Sequence, residues 1–455
     1  MAAITVLGAG PTGLWTAWKL AAADHDVTVL ERAPVVGGMA ASVEVAGQRV
    51  DLGSHRLHPV TPPTLLEQLR VLLGHDLQVR RRHGRIRVQG RWVAFPLRAG
   101  DLVRRLPVGL SVRAGLDVVS APLRRADRAS FAGTVRQGLG PTVAAAVYEP
   151  YATKLWDHAA TELDPELARR RVSTRTTAQA LGRVIRRREA PGRTFLYPRL
   201  GYGQIVERIA DAAVEAGVQI HLERSVDTVE AGGRVLADDG EHIDADLVIS
   251  TLPVTALTSM ARSAPPGAAA AASQLRYRAM VLVYLACAVP AYTEYDAHYI
   301  PGPETPITRL SEPKNYRDGP DPSDHTVLCA EVPCWVGDET WEATDDELGT
   351  RVADDLRRVG LPAAPVSEVT TVRLPTVYPV YPIGYRALLD SVDAWLADQP
   401  DLLSVGRGGL FAPDNLHHCL QMAERVTDVV DDRGRIDRGA WDRARADFDA
   451  HIVED

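Results

Sequence analysis

The glycine-rich segment at residues 8–13 constrains the fold of this chain more than any other feature. Its sequence, GAGPTG, follows an apolar run at residues 4–7 that predicts a strand, and it leads into a predicted helix at residues 14–23. A second predicted strand, residues 26–30, ends directly before Glu31. A G-x-G-x-x-G motif binds a dinucleotide when strand, tight turn, helix, strand and acid follow one another in this order. The sequence therefore predicts a Rossmann-like nucleotide-binding fold at the start of the chain.

The residue types of this segment suit a dinucleotide. Gly8 permits the tight turn, Gly10 lets the backbone approach a pyrophosphate, and Gly13 lets helix and strand pack closely. The N-terminus of the helix offers N–H groups and a partial positive charge to the phosphates. Glu31 stands where a carboxylate accepts hydrogen bonds from the hydroxyls of an adenosine ribose. A glycine-rich turn without a ligand is the alternative, and the complete order of elements favours the dinucleotide.

Composition limits the classes of protein to which the chain can belong. The chain has 455 residues, 45% hydrophobic and 24% charged, which fits two or three folded domains. Its net charge of −8 argues against nucleic acid as a partner. No run of about 18–20 apolar residues predicts a transmembrane helix, and no signal peptide is recognised. The cysteines, Cys287, Cys329, Cys334 and Cys419, lack CxxC and metal-ligand spacing, so we expect free buried thiols, a cytoplasmic protein and no metal.

A second glycine pair follows soon after Glu31. Residues 37–40, GGMA, resemble the loop that wraps the flavin phosphates and ring in the FAD family of amine oxidases, protoporphyrinogen oxidase and UDP-galactopyranose mutase. A plain NAD dehydrogenase needs no such loop. The resemblance implies a GR2-type α/β flavoprotein with non-covalently bound FAD. In such a protein a Rossmann-like FAD-binding domain is interleaved with an α+β substrate domain.

The resemblance also implies how the chain is divided. Residues 203–253 show the helix, strand and hairpin pattern of the second part of an FAD domain. The FAD-binding domain is expected over residues 1–60, 196–270 and 391–455. The substrate-binding domain is expected over residues 61–195 and 271–390.

Five further segments resemble one branch of the family, that of UDP-galactopyranose mutase and its glycan-cluster relatives. They are residues 51–58 (DLGSHRLH), 151–156 (YATKLW) with downstream arginines, 197–204 (YPRLGYGQ), 308–316 (TRLSEPKNY), and 378–381 (YPVY) with 406–409 (GRGG). One segment departs from the mutases, because residues 411–418 (FAPDNLHH) stand in place of their tyrosine pair and aspartate. This departure counts against mutase activity and against UDP-galactose as the substrate.

The motifs and the resemblance together assign site residues. The expected cofactor-binding residues are Gly8, Gly10, Pro11, Thr12, Gly13, Glu31, Arg32, Gly37, Gly38, Met39, Val226, Thr251, Arg407, Asn415 and Leu416. The expected substrate-binding residues are Trp156, Arg175, Arg309 and Tyr381, and the expected catalytic residue is His55.

A helix is predicted from Leu416 onward, with Asp414 or Asn415 as its N-cap. Its positive end would stabilise the negative charge of a reduced flavin. A capped surface helix without a ligand is the alternative. Of His417 and His418, one is expected to face away from the site because they are consecutive.

The catalytic and substrate assignments rest on side-chain chemistry. His55 can accept or donate a proton near neutral pH, and a hydrogen-bonded core histidine is the alternative. An extended segment at residues 308–314 would present Arg309 to a phosphate or carboxylate of the substrate. Arg175 and Arg407 are further candidates for binding such an anion.

Residues 102–123 are apolar with scattered arginines. A core helix pair and a membrane-surface patch both have this composition, and we expect core. Peripheral contact with a membrane stays open, as does the oligomeric state.

Two kinds of enzyme remain open. The first is an FAD-dependent oxidoreductase that takes a hydride from a sugar, glycoside or other anionic small molecule, as in carbohydrate or natural-product biosynthesis. The second is a non-redox nucleotide-sugar mutase or epimerase, in which N5 of reduced flavin attacks the anomeric carbon. The oxidoreductase leads, because of the departure at residues 411–418. A flavin-binding protein without catalysis fits the substrate-domain motifs poorly.

Overall fold

The structure of the chain, a computed structural model, describes residues 1–96, 104–121, 124, 127–172 and 194–453. The helices are α1 (Pro11–Ala21), α2 (Pro63–Leu73), α3 (Val108–Ser120), α4 (Phe131–Leu139), α5 (Pro141–Val143), α6 (Glu149–Trp156), α7 (Pro165–Arg171), α8 (Gly203–Glu215), α9 (Val254–Met260), α10 (Pro266–Ala272), α11 (Glu339–Glu342), α12 (Asp345–Arg358), α13 (Tyr385–Ala397), α14 (Gly406–Gly409), α15 (Leu416–Val429) and α16 (Arg438–Asp449). Among these helices, none combines the length and apolar character needed to cross a bilayer.

The strands are β1 (Ala3–Leu7), β2 (Asp26–Leu30), β3 (Ser42–Val45), β4 (Gln48–Asp51), β5 (Leu77–Arg81), β6 (Gly84–Val88), β7 (Arg91–Phe95), β8 (Thr194–Pro198), β9 (Gln219–His221), β10 (Val226–Val229), β11 (Arg234–Ala237), β12 (His242–Asp244), β13 (Leu247–Ser250), β14 (Tyr277–Cys287), β15 (Ala297–Tyr299), β16 (Arg309–Ser311), β17 (Thr326–Cys334), β18 (Val366–Pro379) and β19 (Leu402–Ser404). Single 3-10 turns lie at Gly38–Ala40, Gly74–Asp76 and Pro313–Tyr316, and a π-helical turn lies at Ala144–Tyr148.

A five-stranded parallel sheet carries the N-terminal motif, with strand order β19-β13-β1-β2-β9. Val6 of β1 lies between Ile249 of β13 and Val29 of β2. All three side chains are buried, because helices cover both faces of a parallel sheet. The predicted Rossmann-like α/β fold is confirmed. The strands of this sheet come from the segments expected to form the FAD-binding domain, and the domain boundaries themselves stay a prediction.

Helix α1 begins at Pro11, three residues before the predicted start. Proline is favoured at the first position of a helix because its missing N–H has no partner there in any case and its φ is already helical. The first turn of α1 therefore stands directly behind Gly10, which is the N-cap residue.

A seven-stranded sheet, ordered β18-β14-β17-β16-β15-β6-β7, forms the second layer of the molecule. Its pairs are antiparallel except for β15 with β6. The predicted extended conformation at Arg309 is confirmed as β16. All four cysteines are free and buried, as predicted.

The expectation that residues 102–123 form a core helix pair is wrong for their described part. Residues 108–120 form α3, and Leu110 is its buried residue. Four large apolar side chains of α3 are exposed instead: Val108, Val112, Leu116 and Val119.

Candidate functional site

Three glycines of the first motif differ in what a side chain would meet. Gly8 has φ +101°, and a Cβ there would lie 2.6 Å from Oγ1 of Thr251. A Cβ on Gly13 would lie 2.0 Å from the carbonyl oxygen of Gly8, so helix and strand could not pack. Gly10 has an ordinary φ of −77° and no atom within 4 Å of its Cβ position. Gly8 and Gly13 are thus required by packing, whereas Gly10 borders open space.

The second glycine pair lies against the first. The N–H of Gly37 donates to the carbonyl oxygen of Ala9 at 2.8 Å. A Cβ on Gly38 would lie 3.5 Å from the Cα of Gly10. Two stretches of bare backbone therefore face one another beside the open space at Gly10. This cradle fits the phosphates of FAD, since a side chain on either stretch would occupy their place.

The carboxylate of Glu31 is fixed at the same turn. Its oxygens accept hydrogen bonds from the N–H groups of Ala9 at 2.8 Å and Ala33 at 2.9 Å. A carboxylate has about four acceptor sites, so acceptor capacity remains for ribose hydroxyls.

Four further predicted cofactor residues differ in their surroundings. Thr251, just after β13, donates its hydroxyl to the carbonyl oxygen of Leu7 at 2.8 Å. Met39 is half-buried in the 3-10 turn, and Arg32 is exposed. Val226 is buried and begins β10. Their contact with the cofactor stays a prediction.

Helix α15 brings a second N-terminus to the first turn of α1. A Cβ on Gly406 would lie 2.8 Å from Oγ1 of Thr12, and that hydroxyl donates to the carbonyl oxygen of Cys419 at 3.5 Å. The N-cap of α15 is Asn415, and Leu416 is the first helical residue, as predicted. The positive ends of α1 and α15 therefore lie beside one another, which suits an anionic cofactor.

His55 lies on the loop between β4 and α2. Its Nε2 donates to the carbonyl oxygen of Leu52 at 2.9 Å, so Nδ1 is the basic nitrogen of the neutral ring. The ring stacks on Tyr202 with centroids 5.1 Å apart. Burial lowers the pKa of His55, Asp51 opposes that effect, and Arg309 reinforces it. The ring is thus held neutral and ready to accept a proton.

Tyr202 connects His55 to the N-terminus of α15. Burial raises the pKa of the Tyr202 hydroxyl, and Asp51 and Cys419 raise it further because both lie near it. Cys419 belongs to the first turns of α15. His55, Tyr202 and the positive end of α15 therefore form one neighbourhood.

Two buried acids that the sequence analysis did not assign hold the His55 loop. Asp51 accepts hydrogen bonds from the hydroxyl of Ser42 at 2.7 Å and from the N–H of Tyr202 at 2.8 Å. Glu331 accepts from the N–H of Ser54 at 2.8 Å. The sequence does carry a signal for Glu331, which is a lone acid inside the apolar strand β17. A buried carboxylate needs partners, so this pattern could have indicated a structural role for Glu331.

Arg309 pairs its guanidinium with an acid of the protein, and its contact with a substrate stays a prediction. Its Nε and a terminal nitrogen donate to the two carboxylate oxygens of Glu331 at 2.8 and 2.9 Å. The two residues are directly opposite one another in the β16–β17 pair. Their side chains are only 16% and 4% exposed, so this bidentate pair is a structural one.

We expect Arg309→Ala to lower the free energy of unfolding by about 3–5 kcal/mol, because Glu331 would stay buried without its cation. Denaturant unfolding followed by circular dichroism measures the change. Arg208→Ala is the matched control, since Arg208 pairs with Asp211 on the surface and should cost about 1 kcal/mol or less. Adding Glu331→Gln to Arg309→Ala should recover part of the loss. An Arg309→Ala protein as stable as the control would contradict this assignment.

The other predicted substrate residues have different outcomes. Arg175 lies outside the described residues. Tyr381 is 1% exposed, and its hydroxyl donates to the carbonyl oxygen of Phe411 at 2.6 Å. Its ring stacks on Tyr385 with centroids 4.0 Å apart. Tyr381 is therefore a core residue in this structure, which corrects its assignment to the substrate.

Trp156 lies next to an arginine pair, Arg171 and Arg407. The guanidinium carbon of Arg171 is 5.6 Å from the ring centroid of Trp156 and 5.3 Å from that of Tyr378. That of Arg407 is 5.6 Å from the same tyrosine ring. Burial lowers the pKa of Arg407, and the charge of Arg171 lowers it further despite the opposing effect of Tyr378.

One donor of Arg407 and one of Trp156 lack acceptors in the described part of the chain. Arg407 donates to two backbone carbonyl oxygens, and no carboxylate within the described ranges forms an ion pair with it. Its Nε, like Nε1 of Trp156, is buried without a hydrogen-bond partner in the described part of the chain. Buried donors without partners are costly, so this geometry suits an anionic group that would fill them.

Asp414 collects histidines from two parts of the chain. Nδ1 of His451 lies 2.9 Å from the carboxylate of Asp414, and Nδ1 of His418 lies 3.9 Å from it. Each residue brings one ligand atom within 4.8 Å of the others, a grouping that sequence spacing did not show. The rings of His418 and His451 stack 4.3 Å apart at 13°. A metal ion in the plane of one ring would lie well out of the plane of the other, so we propose no metal here.

His417 and His418 are both buried, and which of them faces away from the site stays a prediction. His417 is 3% exposed and His418 is 5% exposed. Burial lowers the pKa of His417 to about 4 and that of His418 to about 2, in each case with help from neighbouring histidines. These rings are therefore neutral near neutral pH.

Comparison with known proteins places this arrangement. The family model described as flavin containing amine oxidoreductase matches residues 11–412. None of the curated proteins compared with the chain matches its sequence. Among solved structures, a reduced UDP-galactopyranose mutase is similar, with a TM-score of 0.81 and 21% identity over 94% of this chain and 94% of that one.

Two other similar structures belong to different enzymes. Putrescine oxidase bound to putrescine has a TM-score of 0.63 and 17% identity over 98% of this chain and 99% of that one. A fatty acid isomerase of P. acnes that produces CLA has a TM-score of 0.64 and 15% identity over 93% of this chain and 98% of that one. At such identities the likeness shows the fold alone.

The family match extends over most of the chain and includes the cradle from Pro11 onward, and it confirms the predicted cofactor, FAD. The chain therefore belongs to the flavin containing amine oxidoreductase family.

Proposed function

We propose that the chain oxidises an anionic small molecule, a sugar or glycoside, by hydride transfer to FAD. Bound FAD supplies the hydride acceptor in such a reaction. The observation that carries the proposal is the neutral His55 beside the N-terminus of α15. Hydride removal requires that the substrate lose a proton and that the cofactor take up negative charge. A base can accept the proton, and a positive helix end nearby can stabilise the negative charge.

His55 takes the proton in this proposal. When a hydride leaves a carbon that bears a hydroxyl or amine, that group must lose a proton, and the bare Nδ1 of His55 can accept it. Leu52 holds the ring in the required tautomer, and Tyr202 holds its plane. The N–H groups at the start of α15 provide positive potential for the charge that accumulates at the cofactor.

The arginine pair takes the anion of the substrate. The guanidinium groups of Arg171 and Arg407 lie near one tyrosine ring, and together they form a concentrated positive site. Nε of Arg407 is buried without a hydrogen-bond partner in the described ranges, so it has a donor to offer. Arg407 lies on α14, nine positions before α15 begins, and remains a predicted cofactor residue. In this proposal it would contact both the cofactor and the substrate. The proposal does not depend on Arg309, because the charge of Arg309 is paired with that of Glu331.

We expect Arg171→Met to raise KM for the substrate about tenfold or more, equivalent to about 1.4 kcal/mol, with FAD content unchanged. Arg169→Met is the matched control, because Arg169 lies on the same helix, α7, and is exposed. Steady-state kinetics with the substrate that the enzyme oxidises give KM for both variants. Equal KM values for Arg171→Met, Arg169→Met and the wild type would remove the arginine pair from the substrate site.

A non-redox nucleotide-sugar mutase is the second candidate, favoured by the fold shared with UDP-galactopyranose mutase. The need for reductant separates the two. The oxidase proposal predicts oxygen uptake, or reduction of an added acceptor, with substrate alone. Sugar isomerisation that needs dithionite, with no net oxidation of substrate, would support the mutase instead.

A further inference from the structure

The outward face of helix α3 is apolar. Val108, Val112, Leu116 and Val119 are 76%, 55%, 62% and 78% exposed. At about 100° per residue, these four side chains fall within an arc of about 80°. An outward helical face is ordinarily polar, so this stripe is the reverse of the usual pattern.

The opposite face of α3 is the one that packs on the protein. Leu110 is 6% exposed and belongs to a buried cluster with Val93 and Tyr299. The carboxylate of Asp117, on the same side, accepts a hydrogen bond from the N–H of Thr142 at 2.8 Å. These contacts fix the rotation of the helix, so the apolar stripe cannot turn inward without breaking them.

The rim of the stripe is cationic. The exposed residues of α3 include one charge, that of Arg113, and no acid. Arg104 and Arg105 are exposed just before the helix. This local excess of positive charge stands out because the net charge of the chain is −8.

We propose that α3 docks on the surface of an anionic lipid bilayer. The helix would lie in the plane of the interface, with Val108, Val112, Leu116 and Val119 at the boundary between headgroups and acyl chains. Arg104, Arg105 and Arg113 would contact the lipid phosphates. An amphipathic helix with an apolar face and a basic rim binds bilayers in this way, through buried apolar area and attraction to anionic lipid.

A second copy of the chain fits this surface less well. In a symmetric dimer the same patch meets itself, so Arg113 and its neighbours would approach their own counterparts across the interface. Like charges facing one another at an interface oppose association. An anionic lipid surface complements both the apolar stripe and its rim.

Co-sedimentation of the FAD-loaded protein with vesicles tests the proposal. We expect binding to vesicles of mixed phosphatidylglycerol and phosphatidylcholine, weakened by salt, and little binding to pure phosphatidylcholine. Val112→Ser with Leu116→Ser should reduce the partition coefficient about tenfold or more, and Arg104→Gln with Arg105→Gln should reduce it for anionic vesicles. Val214→Ser is the matched control, since Val214 is 56% exposed on α8 and should have no effect.

Three results would overturn the proposal. They are no binding to either vesicle, equal binding to both, or binding that the α3 variants do not change. Sedimentation velocity without lipid adds a further check. If the wild type is a dimer and the Val112→Ser, Leu116→Ser variant is a monomer, the stripe is the surface that binds a second copy of the chain. Unchanged circular dichroism and FAD content show that the variants are folded.

Discussion

Gly10→Leu is expected to give a folded protein without FAD. A Cβ at Gly10 meets no atom within 4 Å, and its φ of −77° suits any residue, so the fold does not need this glycine. The leucine side chain would instead fill the space between the two glycine segments, where we place the pyrophosphate. Flavin absorbance and cofactor content of the purified protein, with thermal unfolding, measure both effects.

Gly267→Leu is the matched control for this experiment. Gly267 also has no atom within 4 Å of its Cβ position, and it lies on α10 away from the glycine segments. It should keep full FAD content. Gly13→Ala gives the opposite contrast, because its Cβ would lie 2.0 Å from a carbonyl oxygen and the fold itself should be lost. A Gly10→Leu protein that retains FAD would contradict the assignment of the cradle.

His55→Ala is expected to keep FAD and to lose turnover by about tenfold or more, about 1.4 kcal/mol of barrier. The variant removes the proton acceptor and leaves the glycine segments intact. Because burial lowers the pKa of His55, the neutral ring persists to lower pH than the ordinary value of about 6.5. The acidic limb of kcat/KM should therefore lie below about 6.5 in the wild type and disappear in the variant.

His25→Ala is the control for the loss of a buried imidazole. His25 is 8% exposed and lies at the far end of β1 from the glycine segments, where it accepts a hydrogen bond from the N–H of Ala2. This variant should keep both turnover and the acidic limb. If His55→Ala turns over an authentic substrate at the wild-type rate, His55 is a core histidine and not a base.

Features that depend on neighbours in sequence could be predicted. The turn at residues 8–13, the strand at β2 and the start of α15 at Leu416 each follow from local residue types. The local pattern predicts that α1 starts at Leu14, whereas the helix begins at Pro11, because the fixed φ of proline already suits the first helical position.

Features that depend on pairing across the fold could not be predicted. Arg309 and Glu331 are 22 positions apart and meet through strand register. Asp414 and His451 are 37 positions apart and meet because α16 returns the chain to α15. A local pattern carries no information about either partner, so the sequence predicts neither the Arg309–Glu331 pair nor the histidine grouping.

The α3 stripe shows a different limit. Apolar residues at helical spacing predict which side chains share a face, and they do not tell what covers that face. The composition fits core and membrane surface alike, and the expectation of core is wrong for the described residues. The place of Leu110 in a buried cluster with Tyr299 shows which face is inside.

Anaerobic mixing of the FAD-loaded protein with a panel of nucleotide sugars, glycosides and amines tests the central claim most directly. The account predicts that an anionic member of the panel bleaches the flavin absorbance. It further predicts slower bleaching in His55→Ala, a higher substrate requirement in Arg171→Met and no change in Arg169→Met. The contradicting result has two parts: no member of the panel bleaches the flavin, and the protein interconverts nucleotide-sugar isomers once dithionite has reduced its flavin. Together these results would contradict hydride transfer as the reaction.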